Sequence, residues 1–276
     1  MPLLHNPDHA GHSGRVHRTR TTLAVAALAA LVSTSAPSAP AVASGGSPAG
    51  APTSVAGAAS STATSDEATQ RTIRLGGVKV RLRPGTRQAI TVNHSTGWHA
   101  RLSFWRKTEG SGWKRIAGTR AGRTGYGGLV PGPKREQGTG TTPLGSYRMT
   151  ESFGLAKKPA GTALPFHRVR KGDYWVQDNA SRYYNQLRNK SQGGFRWRLD
   201  GYNSSERLRD YVGQYRWSVV IDFNRPHPVR HRGSGIFLHV NGDGATAGCV
   251  STPKPFVRQA MQRLTPRLKP VVAIGR

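Results

Sequence analysis

Cysteine is almost absent from this chain of 276 residues, because Cys249 is the only one. A single cysteine excludes an intramolecular disulfide, and in an exported protein it leaves a thiol that is buried, paired between chains or reactive. Acidic residues are also scarce: 13 stand against 41 lysines and arginines, which gives a formal net charge of +28. This balance excludes an acidic surface and favours polyanionic partners.

Long apolar runs are missing as well. The run LAVAALAALV, from Leu23 to Val32, has ten residues, whereas a membrane-spanning helix needs about 20. It follows an arginine-containing stretch and precedes Ala-Val-Ala at residues 41–43, an order typical of a secretory signal peptide. The sequence therefore predicts a signal peptide over residues 1–43, a secreted or cell-wall location and no membrane span. A disordered alanine-rich tail is the alternative.

The charge of the mature chain indicates where it works. Removal of residues 1–43 takes away three arginines and one aspartate and leaves +26. Outside the cytoplasm, anionic cell-wall polymers are the expected partners; a basic surface without a dedicated partner is the alternative. Nucleic acid is not expected, because the charge is spread along the chain and no stacked-aromatic signature accompanies it.

The remaining chain divides into a tether and a folded part. Residues 44–71 are mostly Ser, Ala, Thr, Gly and Pro, which predicts a disordered tether. From Thr72 onward, short alternating runs separated by Gly, Pro and Asn predict strands. The runs at residues 217–223 and 235–240 are typical of central strands, and helices are predicted at residues 205–215 and 253–264. We expect one mostly β domain over residues 72–276, with a few accessory helices, as a monomer.

Cys249 follows a predicted strand, a loop and a glycine. Gly248 lets the backbone bend closely and leaves room for a substrate above the sulfur. His239, ten residues earlier, ends the strand and can take the thiol proton. An activated cysteine of this kind has a pKa below the free value of about 8.5. The alternatives are a small buried cysteine and a hydrogen-bonded core histidine.

A metal site is not expected. His227 and His231 lie near His239 and Cys249 in the sequence. Pro228 breaks the helical spacing between the first two, and no carboxylate or second thiol completes a zinc set. The sequence predicts no metal and no cofactor.

The segment RGSGIFLHVNGDGATAGCVSTP resembles the active-site signature of the YkuD-type L,D-transpeptidases, in the actinobacterial branch where a histidine ends FLHV and a short loop leads to GC. Three further blocks are similar to the family in the expected order: KREQGTGTTPLGSYRM, LPFHRV with DYWVQDNASRYYN, and LDGYN. The resemblance runs from about Ile90 to the C-terminus. The chain differs in having Ala247 where many members have a basic residue, and Ser251 where they have Arg or Asn.

This resemblance implies a YkuD-like β-sandwich and acyl transfer on peptidoglycan stem peptides, without a cofactor. Cys249 attacks the carbonyl of the third stem residue, a diamino acid, and expels the terminal D-alanine. The acyl group of the thioester is then transferred to an amine, which gives a cross-link, or to water, which is a carboxypeptidase reaction. His239 acts as general base and then general acid, oriented by a backbone carbonyl near Asn241 or Gly242.

The resemblance also predicts the other site residues. The backbone N–H groups of Gly248 and Cys249 are expected to stabilise the oxyanion. The substrate-binding candidates are Arg232, Asn241, Thr246, Tyr202 and Asn203. Arg232 is alternatively a solvated surface arginine, and Tyr202 and Asn203 alternatively cap the predicted helix that follows them.

Two other functions are considered. An exported cysteine peptidase of the papain or NlpC kind places its cysteine before its histidine, the reverse of the order here. A non-catalytic wall-binding module needs the basic surface but neither Cys249 nor His239.

Overall fold

The strands of the protein follow the short alternating runs of the sequence. In the computed structural model, which describes residues 71–276, Val78 and Val80 are fully buried and Lys79 between them is exposed. This is the alternation of a strand with one face on the core. The predicted signal peptide, and all but the last residue of the predicted tether, lie outside the described residues.

The strands are β1 (Arg71–Leu75), β2 (Val78–Leu82), β3 (Gln88–His94), β4 (His99–Thr108), β5 (Gly112–Arg123), β6 (Leu129–Pro131), β7 (Thr142–Arg148), β8 (Ser152–Gly154), β9 (Phe166–Arg168), β10 (Asp173–Trp175), β11 (Leu187–Asn189), β12 (Glu206–Arg207), β13 (Ser218–Val220), β14 (Phe237–Val240), β15 (Val250–Thr252) and β16 (Val271–Gly275).

Eleven of these strands form one sheet in the order β6-β7-β16-β3-β4-β5-β15-β14-β13-β8-β9. The long antiparallel strands β3, β4 and β5 lie near its middle. β14 lies between antiparallel β13 and parallel β15. The two predicted central strands are thus present as β13 and β14, each shorter than its apolar run because only three and four residues pair.

Side-chain alternation separates the two faces of the sheet. Val219 and Leu238 belong to the largest core cluster, whereas their neighbours Val220 and Phe237 belong to a second cluster. The largest cluster also takes residues from β3, β4 and β16, so the sheet folds around one core as a sandwich. The predicted mostly β sandwich is confirmed. His239 lies two residues after Phe237, on the face of the second cluster.

Two smaller sheets cover the other face. The β1–β2 hairpin packs on Ala89, Val271 and Ala273 of β3 and β16. The three strands β11, β10 and β12 form a separate sheet in that order, whose Trp175 packs at 4.8 Å, centroid to centroid, against Phe237. Phe237 in turn packs against Tyr215, the ring that lies edge-on to His239.

The predicted C-terminal helix is confirmed as α1 (Lys254–Arg263). Pro253 is its N-cap and a second proline lies in the first turn, a position that needs no backbone N–H. The predicted apolar stripe is buried against the largest cluster; it consists of Phe256, Val257, Ala260, Met261 and Leu264.

The predicted helix at residues 205–215 is wrong. In its place are β12 and two 3-10 turns, Leu208–Asp210 and Gln214–Arg216. Ser205 does not cap a helix: its hydroxyl accepts from the Gln177 N–H and donates to the Arg196 carbonyl. Of the periodic apolar residues only Leu208 is buried, whereas Tyr211 and Val212 are exposed, and the segment pairs with β10 through β12 instead of forming a helix.

Among residues 71–276, no helix is long and apolar enough to cross a membrane.

Candidate active site

Two parallel neighbouring strands bring His239 and Cys249 into one site. His239 is the third residue of β14, and Cys249 directly precedes β15. The register pairs His239 with Ser251, so Cys249 lies two residues away along the adjacent strand. Both residues line one cleft of about 920 Å³, within the size range of small-molecule sites.

The His239 ring is held in one orientation. Its Nδ1 lies 2.8 Å from the carbonyl oxygen of Val240, and Tyr215 packs edge-on against it at 5.4 Å between centroids. With Nδ1–H donating to this carbonyl, Nε2 carries the free lone pair. The orienting group is the backbone carbonyl of Val240, which directly precedes Asn241 in the chain. Burial lowers the pKa of His239 to about 4, so the imidazole is neutral at pH 7.

The Cys249 thiol is buried between two backbone groups. It donates to the carbonyl of Gly235 over 3.2 Å and accepts from the N–H of Phe237 over 3.3 Å. Burial and then the negative charge of Glu206 raise its pKa to about 12, against smaller opposite effects of the Phe237 N–H and Arg135. The expectation of a lowered thiol pKa is therefore wrong: burial outweighs the positive charge nearby.

The loop before Cys249 is closed by Thr246. Its hydroxyl donates to the carbonyl of Cys249 over 2.6 Å and accepts from the N–H of Gly248 over 3.2 Å. One of the two N–H groups predicted for the oxyanion is thus already engaged by a side chain. An oxyanion that uses the Gly248 N–H has to displace this hydroxyl.

The segment that contains Thr142 supports the same loop from below. The buried Thr142 hydroxyl donates to the Gly248 carbonyl over 2.8 Å and accepts from the Gly125 N–H over 2.7 Å. Gly248 has a φ of +126°, and a Cβ there would lie 2.7 Å from the Thr141 carbonyl oxygen. Only glycine fits both the conformation and the space.

Arg135 places a buried guanidinium beside the loop. It is 5% exposed, donates through Nε to the Thr141 carbonyl over 2.8 Å, and donates through Nη1 to the Arg232 carbonyl over 3.2 Å. A Cβ on Gly248 would lie 2.8 Å from its Nη2. Burial lowers its pKa from the ordinary value, but an arginine remains charged at pH 7. It lines the cleft with Cys249.

The structure places two of the five predicted substrate-binding residues in the cleft. Tyr202 lines it and is 58% exposed. Thr246 lines it too, although its hydroxyl is used by the loop.

The other three candidates do not line this cleft. The Asn203 side chain accepts from Gln137 and Asn179, which fixes the turn that carries Tyr202. The Asn241 side chain joins the Ala121 carbonyl to the Ser251 hydroxyl. Arg232 offers its carbonyl to Arg135, and of these two arginines only Arg135 lines the cleft.

A half-buried acid, Glu206, faces the site from β12. Tyr215 donates its hydroxyl to Glu206 Oε1 over 2.5 Å, and Gln177 approaches Oε2 at 3.4 Å. Burial raises the pKa of Glu206 to about 7, against the lowering effect of these two hydrogen bonds. Glu206 and Tyr215 both line the cleft with Cys249.

The mouth of the cleft carries exposed aromatic rings and basic side chains. Its exposed aromatics include Tyr126, Trp197 and Tyr211, and its basic residues include Lys190 and Arg198. Aromatic and cationic groups of this kind suit a peptide with carboxylate groups.

Within residues 71–276, His, Cys, Asp and Glu form no group of three that could hold a metal ion.

The sequence analysis missed Arg135 and Glu206. Arg135 and Thr142 both stand in the block KREQGTGTTPLG, and both lie next to Gly248. Membership of this block was therefore a usable signal for Arg135. Glu206 was hidden in the segment interpreted as a helix. The rarity of acidic residues was the available signal for Glu206, because the chain has only 13.

The family comparison agrees with this geometry. The family model YkuD, described as the L,D-transpeptidase catalytic domain, matches residues 87–272. No curated protein and no solved structure matches the chain. The matched residues span β3 to β16 and contain every cleft residue described above, and the chain belongs to the YkuD family of L,D-transpeptidase catalytic domains.

Proposed function

We propose that the protein is an exported L,D-transpeptidase that forms a thioester between Cys249 and a peptidoglycan stem peptide. One observation carries the proposal: the lone thiol and a neutral imidazole, its Nδ1 fixed by Val240, line the same cleft. The family match supports an L,D-transpeptidase domain that acts on peptidoglycan. The roles of Cys249 and His239 are our proposal.

The pKa values of the two groups define the first step. A thiol with a pKa of about 12 and an imidazole with a pKa of about 4 are both neutral in the free enzyme. Complete proton transfer before attack would be strongly uphill, because burial disfavours both the thiolate and the imidazolium. The sulfur therefore attacks the carbonyl carbon as its proton turns from the Gly235 carbonyl to His239 Nε2.

The tetrahedral intermediate then collapses toward the thioester. Its oxyanion is stabilised by the N–H group of Cys249 and, once the Thr246 hydroxyl has been displaced from it, by that of Gly248, each donor contributing about 3 kcal/mol. The C–N bond to the terminal D-alanine breaks, and His239 returns its proton to the leaving amine. The thioester on Cys249 is then taken by an amine or by water.

Export and wall association complete the proposal. The signal-peptide pattern of residues 1–43 supports export, and intact mass of secreted protein should place the mature N-terminus at or near Ser44. The charge of +26 that remains supports electrostatic association with anionic wall polymers.

Purified disaccharide-tetrapeptide muropeptides test the enzyme directly. The products should be free D-alanine together with cross-linked dimers, tripeptides or both, identified by mass. Binding to wall sacculi without any release of D-alanine would favour the non-catalytic module. Cleavage at another bond of the stem would favour a peptidase.

A further inference from the structure

Glu206 is a carboxylate without a cation. None of the ion pairs among residues 71–276 includes it, although the chain holds 41 lysines and arginines. Its hydrogen-bond partners are the Tyr215 hydroxyl and the Gln177 amide, both neutral. Glu206 is half-buried, and a carboxylate withdrawn from water is ordinarily paired with a positive group. Basic side chains such as Arg135 and Lys190 line the same cleft, but none forms an ion pair with Glu206, so this carboxylate can accept an external cation.

Glu206 lies beside the sulfur. The Cys249 thiol donates to the Gly235 carbonyl over 3.2 Å, and a Cβ on Gly235 would lie 3.5 Å from Glu206 Oε2. Thiol and carboxylate thus approach the same glycine. A cation bound to Glu206 would stand next to an acyl group on Cys249.

Arg135 supplies the opposite charge in the same cleft. Its Nη2 points toward Gly248, which immediately precedes Cys249. A site with a carboxylate and a guanidinium beside one sulfur suits a group that carries an ammonium and a carboxylate together. An amine next to a carboxyl group carries both of these charges near pH 7.

We propose that Glu206 binds the ammonium group of the acceptor and takes its proton before the amine attacks the Cys249 thioester. This inference rests on the proposed function and concerns its second half-reaction. The position of Glu206 beside the thioester favours the acceptor over the donor as the source of the bound ammonium group. The side-chain amine of a donor diamino acid lies several carbon–carbon bonds from the scissile carbonyl, whereas the acceptor nitrogen must come within bonding distance of it.

The surroundings of Glu206 suit a proton acceptor. A pKa of about 7 is close to the working pH, where a general base is most effective. The titratable groups that face it are Tyr215, Asp210, Tyr211 and Cys249. None of these groups is a cation, and among residues 71–276 no lysine or arginine lies within ion-pair distance of the carboxylate, so no positive side chain occupies the place of an incoming ammonium.

The step balances in atoms and charge. Glu206 takes one proton from the ammonium, and the free amine forms a C–N bond to the thioester carbonyl carbon. The C–S bond breaks, and a second proton passes from nitrogen through His239 to the sulfur. The products are an amide with one N–H, a neutral thiol and a protonated Glu206, which releases its proton to solvent.

The experiment uses the full mature chain and disaccharide-tetrapeptide, which serves as both donor and acceptor. Release of D-alanine reports the first half-reaction, and the ratio of dimer to tripeptide reports the partition between amine and water. Glu206→Gln removes the charge and keeps the shape. Asp243→Asn is the matched control, because Asp243 is an exposed acid at the same cleft.

Glu206→Gln should lower the dimer-to-tripeptide ratio about a hundredfold, within the range of general base catalysis, and leave D-alanine release within about threefold. Raising the pH toward the pKa of the acceptor amine should restore dimers in this variant, because the amine then arrives deprotonated. Asp243→Asn should keep the wild-type ratio. An unchanged ratio in Glu206→Gln would overturn the inference, as would an equal loss of D-alanine release and of dimers. If wild type releases no D-alanine, the proposed function itself has failed.

Discussion

The hydroxyl of Thr142 donates a hydrogen bond over 2.8 Å to the carbonyl oxygen of Gly248, 106 residues later in the chain. The same oxygen atom of Thr142 accepts from the Gly125 N–H. One buried side chain therefore joins the ends of three loops directly beneath the cysteine. The position of Cys249 depends on this junction as much as on its own strand.

Replacing Thr142 with valine should destabilise the protein and slow acylation. The change leaves a buried carbonyl and a buried N–H without partners, which costs about 1–3 kcal/mol of unfolding free energy. A displaced sulfur should also reduce D-alanine release by about tenfold or more. Denaturant unfolding and product analysis measure the two effects. Thr139→Val is the control, because Thr139 is exposed in the same segment; if it is equally harmful, the junction is not the cause.

Alkylation of Cys249 should be slow at neutral pH. With a thiol pKa of about 12, only about one molecule in 10⁵ carries a thiolate at pH 7, and the thiolate is the reactive form. The iodoacetamide rate should rise about tenfold per pH unit from pH 7 to pH 10. A rate that is already at its plateau near pH 7 would show a preformed thiolate and contradict the neutral pair.

The pH dependence of stability should reveal opposite effects of Glu206 and His239. The pKa of Glu206 is raised from 4.5 to about 7, so the folded state holds its proton where the unfolded state has lost it. Its contribution to stability falls as the pH rises through this window. The pKa of His239 is lowered from 6.5 to about 4, so its contribution rises with pH between these values. Each shift corresponds to roughly 3 kcal/mol, and between pH 4.5 and pH 6.5 the two nearly cancel.

Variants separate the two contributions. Between pH 4.5 and pH 6.5, the unfolding free energy of Glu206→Gln should rise more steeply than that of wild type. The unfolding free energy of His239→Gln should rise less steeply than that of wild type. Denaturant titrations at the two pH values measure both slopes. Parallel slopes in all three proteins would show that these groups are not buried as described.

Attachment to wall sacculi should weaken as salt rises. Exposed charges are screened beyond about 10 Å at 0.1 M salt and about 3 Å at 1 M, so an attraction carried by a net charge of +26 declines across this range. Co-sedimentation with sacculi at increasing salt gives the measurement. Retention that is independent of salt would assign the attachment to the cleft instead.

Local patterns were sufficient to predict much of the fold and the central pair. The alternation around Val78 and the stripe of α1 required only the two periodicities of regular structure. His239 and Cys249 could be paired because strand, loop and glycine follow one another directly in the sequence. The family resemblance added the order of the blocks.

Longer-range geometry could not be predicted. Residues 205–215 have helical spacing, but pairing of Glu206 with Trp175 in the neighbouring strand prevailed over it. The thiol pKa depends on burial, which a sequence does not display, and activation by His239 had led to the opposite expectation. Arg135 replaced Arg232 in the cleft because the chain folds the earlier arginine inward, with the carbonyl of the later one as its acceptor.

The mass of the acyl-enzyme shows whether Cys249 is the nucleophile. Wild-type protein mixed with a tetrapeptide stem and stopped in acid should carry the stem minus D-alanine, and His239→Gln should acquire that mass at least about a hundredfold more slowly. Cys249→Ser, which is folded by the same core contacts, should acquire none. The account predicts an adduct on Cys249 alone; an adduct of equal yield on Cys249→Ser, or the release of D-alanine by that variant at the wild-type rate, would contradict it.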